Sequence, residues 1–178
     1  LRSLDTLKNS DYILCEDTRV SRVLLNKYAI QSKLITNQKF NEKKNLLKFL
    51  NILSKGSVVS LICDAGTPTI SDPGNILISE CIKNEINVIP LPGASSVSLA
   101  ASISGFVGKF FFYGFFPENK GIIAKDMDVL SNLDASIIFF VSSKKFKRII
   151  PFLKKYFSNR QIVICREMTK YYEQYIRT

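Results

Sequence analysis

Chemistry in this sequence is concentrated in three short stretches, each placed just after an apolar run. The first is Glu16-Asp17-Thr18-Arg19, two carboxylates and a guanidinium behind residues 12–15. Such a group can take up a proton or hold a polar substrate. It can equally open a helix, with Thr18 or Ser21 as cap and Asp17 near the positive end of the dipole. The second stretch, residues 63–74, reads CDAGTPTISDPG. Gly66 and Gly74 permit left-handed backbone or close approach to a ligand, while Pro68 and Pro73 fix φ, so the loop is expected to be shaped before any ligand arrives. A plain connection does not need two aspartates, two prolines and two glycines in twelve residues. The third, residues 90–96, reads PLPGASS and opens a helix, with Ser95 or Ser96 free to cap it or to meet a ligand. None of the three is a phosphate loop of the GxxxxGK-S/T kind.

The chain has no histidine, which excludes a histidine-based triad and leaves the common zinc and haem sites without ligands; no metal site is expected. Four cysteines, at 15, 63, 81 and 165, form no CxxC pair and sit among apolar residues, the pattern of buried free thiols in a reducing compartment. A cytoplasmic location follows from that chemistry. Any general base must come from the carboxylates and lysines.

The elements that position these loops follow from periodicity. Apolar runs at 12–15, 33–36, 58–63 and 87–91 predict strands, and helical patterns at 23–28, 41–55 and 75–83 separate them, so the first hundred residues read as βαβ units with a mainly parallel sheet. Small apolar residues at 95–103 predict a packed helix. The texture changes after Gly105, where the aromatic run 110–116 predicts a core strand, followed by a helix at 125–133, a strand at 137–141, a helix at 144–157 and a strand at 161–166. Two α/β domains are therefore expected, 1–106 and 107–178. Residues 97–116 form the one stretch that approaches a membrane span in length, but its glycines, its serines and Lys109 argue against insertion. Leu1, Leu4 and Leu7 at helical spacing, with no initiating methionine, predict a chain that starts inside a helix of something longer.

With 25 basic and 15 acidic residues in 178, the formal charge is +10, which suits a polyanionic partner. Lys144, Lys145, Lys147, Arg148, Lys154 and Lys155 interleave with Phe146, Ile149, Ile150, Leu153 and Phe157 as an amphipathic helix with one basic face, in which Pro151 is expected to kink or interrupt the helix. An ordinary solvated face has the same pattern.

The runs EDTR, DAGTPTISDPG, PLPGASS, FFFYGFFPENKG and CREMTK, taken in order along nearly the whole chain, resemble the ribosomal RNA small subunit methyltransferase I family. That family is the cytidine 2′-O-ribose methyltransferase branch of the tetrapyrrole methylase superfamily. The resemblance implies a two-domain α/β fold, S-adenosyl-L-methionine bound in the cleft between the domains, a homodimer, and small-subunit (16S) ribosomal RNA or the small ribosomal subunit as partner. It places Asp64, Gly66 and Thr67 against the cofactor with Ser95 and Ser96 beside them, and Val141 and Cys165 on the other side. Glu16, Asp17, Asp72 and Glu167 become the catalytic candidates. Arg19 and Arg166, with Lys144, Lys145, Lys147 and Arg148, become substrate contacts.

Two departures accompany the resemblance. The family's opening strand and loop, and its closing strands, lie outside residues 1–178, and Cys63 stands where a serine is usual. A ribose hydroxyl is a weak nucleophile at neutral pH, so a positioned base and in-line geometry are the expected sources of rate. A methyltransferase for a corrinoid or porphyrin precursor, and a truncated RNA-binding remnant without activity, are the alternatives.

Overall fold

Residues 12–15, Tyr-Ile-Leu-Cys, form strand β1 (Tyr12–Cys15), whose last three residues are buried on both faces. A strand covered on both sides reads as a continuous apolar run, and it occupies the middle of a parallel sheet. It pairs in parallel with β2 (Lys33–Thr36) on one side and β3 (Val59–Leu61) on the other, in the order β2-β1-β3. Neighbouring side chains point to opposite faces. Ile13 packs with Leu7 of α1 (Arg2–Lys8), Leu25 of α2 (Thr18–Lys27) and Ile30. Leu14 packs with Phe49 of α3 (Glu42–Ser54) and with Leu77 and Cys81 of α4 (Asn75–Lys83). Helices thus cover both faces of the sheet, and the 16–19 loop after β1 and the loop after β3 leave its carboxyl edge.

The structure, a computed structural model, describes residues 1–178, and by contact they divide into two compact units, Leu1–Ala94 and Ser95–Thr178. Helix α5 (Ser96–Ser104), placed with the first domain by the expected boundary at 106, groups with the second unit because it packs on β5 (Ser136–Phe140). In that unit β4 (Phe110–Phe115) pairs in parallel with β5, with a register shift between Phe112 and Gly114. Helices α6 (Lys120–Ser131) and α7 (Phe146–Tyr156) supply Ile123, Met127, Leu130 and Ile149 to its core, which Phe116 and Phe157 complete. A single 3-10 turn, Ser143–Lys145, precedes α7. An antiparallel hairpin, β6 (Val163–Arg166) with β7 (Gln174–Arg177), ends the chain.

Several expectations are corrected. Residues 87–91 form no strand: Pro90 and Pro92 remove backbone donors, and the segment is largely exposed. Helix α2 starts at Thr18 rather than Val23, and its cap is Asp17, not Thr18 or Ser21. Helix α7 continues through Pro151. Residues 97–116 split into α5, a connection and β4, and no helix is long and apolar enough to cross a membrane. Only Cys15 and Cys81 are buried, whereas Cys63 and Cys165 are half-buried; all four are free, with burial raising each thiol's pKa.

Candidate functional site

In the Glu16–Arg19 loop the four polar residues divide their work. Asp17 Oδ1 accepts from the Arg19 backbone N at 2.8 Å, the cap of α2, and the Arg19 guanidinium closes on both carboxylate oxygens, with Nη2 at 2.6 Å. Those bonds hold the Asp17 carboxyl down at about 2, so it is a weak proton acceptor. Glu16 is half-buried and behaves in the opposite way. Burial first, then the negative fields of Asp64, Asp72 and Asp17, raise its pKa above the ordinary range. The carboxyl edge of β1 and β3 therefore gathers Glu16, Asp17, Asp64 and Asp72 into one electrostatic neighbourhood.

The loop after β3 is bent by four left-handed residues, Gly66 at φ 80°, Thr69 at 71°, Ser71 at 73° and Gly74 at 130°. A β-branched threonine in that region is strained and persists only where surroundings hold it. Three contacts do so. Thr67 Oγ1 donates to Ala94 O at 2.9 Å and Asn75 Nδ2 donates to Thr69 O at 3.1 Å. At the far end the buried Glu42 carboxylate accepts from the backbone N of Gly74, Ile76 and Leu77 at 3.0, 3.0 and 3.3 Å. Glu42, in the first turn of α3, thus caps α4 from another element and satisfies its free N–H groups. A Cβ on Gly74 would lie 2.5 Å from Leu61 Cδ2, so side-chain packing as well as φ demands glycine there. Cys63 is held up at about 11 by burial and by Asp72, its Sγ donating to Ala65 O at 3.2 Å, which makes it an inert thiol.

Asp64 and Gly66 are exposed and Thr67 and Asp72 half-buried on this loop. In the second unit Ser95 caps α5, its Oγ accepting from Ser98 N at 3.5 Å, with Ser96 exposed beside it. Val141, Cys165, Arg166 and Glu167 line one cavity of about 1700 Å³ there, walled by apolar residues such as Phe139 and Ile164. Lys144, Lys147 and Arg148 are exposed, while Lys145 is ion-paired with Glu118.

Two residues of this region escape sequence reasoning. Glu42 carries no signal beyond an acidic first turn. Asn37, directly after β2, is fully buried, donates its backbone N to Cys15 O at 2.8 Å, and has neither side-chain amide atom bonded. Nothing in its sequence neighbourhood marks that.

A parallel sheet covered by helices, with shaped, polar loops at its carboxyl edge, defines a ligand-binding α/β protein. The family model for tetrapyrrole (corrin/porphyrin) methylases matches residues 1–178. Proteins named ribosomal RNA small subunit methyltransferase I are similar along almost the whole chain. The one from Mesomycoplasma conjunctivae is 44% identical over 99% of this chain and 75% of its own length. That from Thermotoga maritima is 38% identical over 99% and 80%, and that from Bacillus subtilis 36% over 99% and 61%. A solved cobalamin biosynthetic enzyme, cobalt precorrin-4 methyltransferase, matches 100% of this chain and 78% of its own at a TM-score of 0.68, and at 17% identity that likeness shows the fold. The chain belongs to the tetrapyrrole methylase family, in the branch whose members bear the ribosomal RNA small subunit methyltransferase I name.

Its methyl donor is S-adenosylmethionine, and the donor set at the sheet edge fits that molecule. The sulfonium and ammonium are cationic, matching the carboxylates of Glu16, Asp64 and Asp72. The unbonded amide of Asn37 leaves one polar group at the same edge with hydrogen bonds still to make.

Proposed function

We propose that this methyltransferase acts on the ribose 2′-hydroxyl of a cytidine in small-subunit (16S) ribosomal RNA. The carrying observation is 44% identity, spread over 99% of the chain, to a protein named for small-subunit ribosomal RNA methylation. Charge is consistent with it: residues 95–178 hold 13 basic and six acidic side chains, a balance suited to the phosphates of RNA. A corrinoid or porphyrin substrate is less supported, having the family's general description and a fold likeness at 17% identity behind it.

Asp64, Gly66 and Thr67 hold the cofactor in this reading, with Ser95, Ser96, Val141 and Cys165 as further contacts. The cofactor supplies a methyl already activated by its sulfonium. The chain's own task is to align the hydroxyl and accept its proton. Among the carboxylates Glu16 suits that task best, since its raised pKa makes it a stronger base than Asp17, which Arg19 occupies. Asp72 and Glu167 remain further candidates. Arg19, Arg166, Lys144, Lys147 and Arg148 meet the RNA, while Lys145 is held by Glu118. We further assign the protein to the cytoplasm, as a homodimer.

Incubation with labelled S-adenosylmethionine and, in parallel, naked small-subunit RNA, small subunits and a tetrapyrrole precursor tests this. Label in a cytidine 2′-O-methyl of the RNA is the expected result. Label in the tetrapyrrole alone overturns it.

A further inference from the structure

The chain turns between β6 and β7 through residues 167–173, and the aromatic residues of that turn have no part in the chemistry above. Glu167 and Thr169 are in left-handed backbone, at φ 50° and 63°. Glu173 secures the turn, its Oε2 accepting from Thr169 N at 2.9 Å and from the Tyr175 hydroxyl at 3.1 Å, while Lys170 N donates to Glu167 O at 3.0 Å. From this support Tyr171 and Tyr172 project into solvent, 91% and 73% exposed, as an edge-to-face pair with centroids 4.8 Å apart. Neither ring belongs to a core cluster.

Two rings left in water carry an unrecovered hydrophobic penalty. Around them stand Glu167, Thr169, Lys170 and Glu173, and Arg166 opens the turn exposed and without an ion pair, whereas Lys170 lies 3.4 Å from Glu167. The rings stand in a polar frame, with Tyr175 and Ile176 of β7 the partly exposed apolar neighbours. Flat faces on a turn that an unpaired guanidinium opens, on a unit of net charge +7, match unpaired nucleobases, which stack on tyrosine and are recognised in single-stranded RNA.

We infer that the 167–173 turn is a base-stacking site for an unpaired segment of the RNA substrate, with Tyr171 and Tyr172 as the platform and Glu173 as the residue that positions it. This rests on the RNA reading above and adds to it the demand for unstacked bases in that RNA.

The test uses the full chain and a labelled single-stranded oligocytidylate, with fluorescence anisotropy across a salt series. Tyr171→Ala/Tyr172→Ala should weaken binding on the order of tenfold for each ring that stacks. The salt slope should stay that of the wild type, because stacking releases no counterions. Tyr171→Phe/Tyr172→Phe keeps the rings and should keep the affinity, and a fully paired RNA duplex should not distinguish the variants. Unchanged oligocytidylate affinity in the double alanine variant overturns the inference and leaves the RNA reading standing. A wild type that binds no RNA even at low salt overturns both.

Discussion

The two units solve opposite electrostatic problems. Residues 1–94 carry 12 basic and nine acidic side chains, net +3, and four of the nine carboxylates stand on the loops at the carboxyl edge of the sheet. Residues 95–178, at net +7, expose Lys144, Lys147 and Arg148 around the start of α7 and an aromatic turn after β6. An acidic edge suits a cationic methyl donor and a basic surface suits a polyanion. In the function proposed above, one chain divides donor and acceptor recognition by sign, which total charge alone hides.

The first unit also holds its site by a different means, and that contrast is the easiest to break. Its strained loop depends on a carboxylate brought from α3, whereas the second unit's exposed cations Lys144, Lys147 and Arg148 stand on a 3-10 turn and the first turn of α7. Glu42→Ala leaves the N–H groups of Gly74, Ile76 and Leu77 buried without a partner. It should destabilise the protein by on the order of 3 kcal/mol in urea unfolding, with Glu42→Gln intermediate because it keeps an acceptor oxygen. Unchanged stability in Glu42→Ala would mean the loop holds itself. Next in size, Gly74→Ala should cost about 2 kcal/mol, since a methyl must displace Leu61 and Thr69 in addition to adopting φ 130°. Gly66→Ala, with only Ala94 O at 4.0 Å, should cost about 1 kcal/mol, the backbone strain alone. Equal losses at the two glycines would remove the packing argument.

The charge division itself is tested by cross-readouts. Asp64→Ala should weaken S-adenosylmethionine binding about tenfold, ~1.4 kcal/mol by calorimetry, with RNA affinity unchanged. Neutralising Lys144, Lys145, Lys147 and Arg148 should lower RNA affinity and leave cofactor binding alone. Lys145 is already paired with Glu118, so three contacts rather than four should be lost, flattening the salt slope by about 2 to 3. An unchanged slope would make those residues an ordinary solvated face.

What could be read from the sequence follows the same line. Strands β1 and β2 and helix α4 fall on their expected residues, because continuous apolar runs and helical spacing report burial directly. The three polar loops stand out by type and spacing alone. Strand β7 does not: Gln174–Arg177 is exposed throughout and carries no burial pattern, so only its pairing with β6 defines it. Glu42 and Asn37 stay hidden for a related reason. A carboxylate that caps a helix 32 residues away, or an amide buried without a partner, is a property of tertiary approach, and no local pattern encodes it.

The smallest effect expected is also the most specific, and it concerns two adjacent carboxylates. Asp17, held at about 2 by Arg19, binds a proton less readily folded than unfolded, so its contribution to stability is present above the ordinary carboxylate value and is lost as pH falls through about 2. Glu16 has the opposite sign. Its raised pKa means the folded state takes the proton more readily, so stability declines as pH rises from the ordinary glutamate value through the raised one. Exposure of the Asp17–Arg19 pair keeps its share slight. For catalysis the signs translate into the acid limb of a single-turnover pH profile. If Glu16 accepts the ribose proton, that limb lies above the ordinary glutamate range, and Asp72→Asn, by removing one of the negative fields on Glu16, should move it to lower pH. Asp17→Asn should move it the same way by less, since the Asp17 field is the smallest of the three that act on Glu16. A limb that ignores Asp72→Asn yet disappears in Glu167→Gln would transfer the base to the second unit and end the assignment of proton transfer to the first.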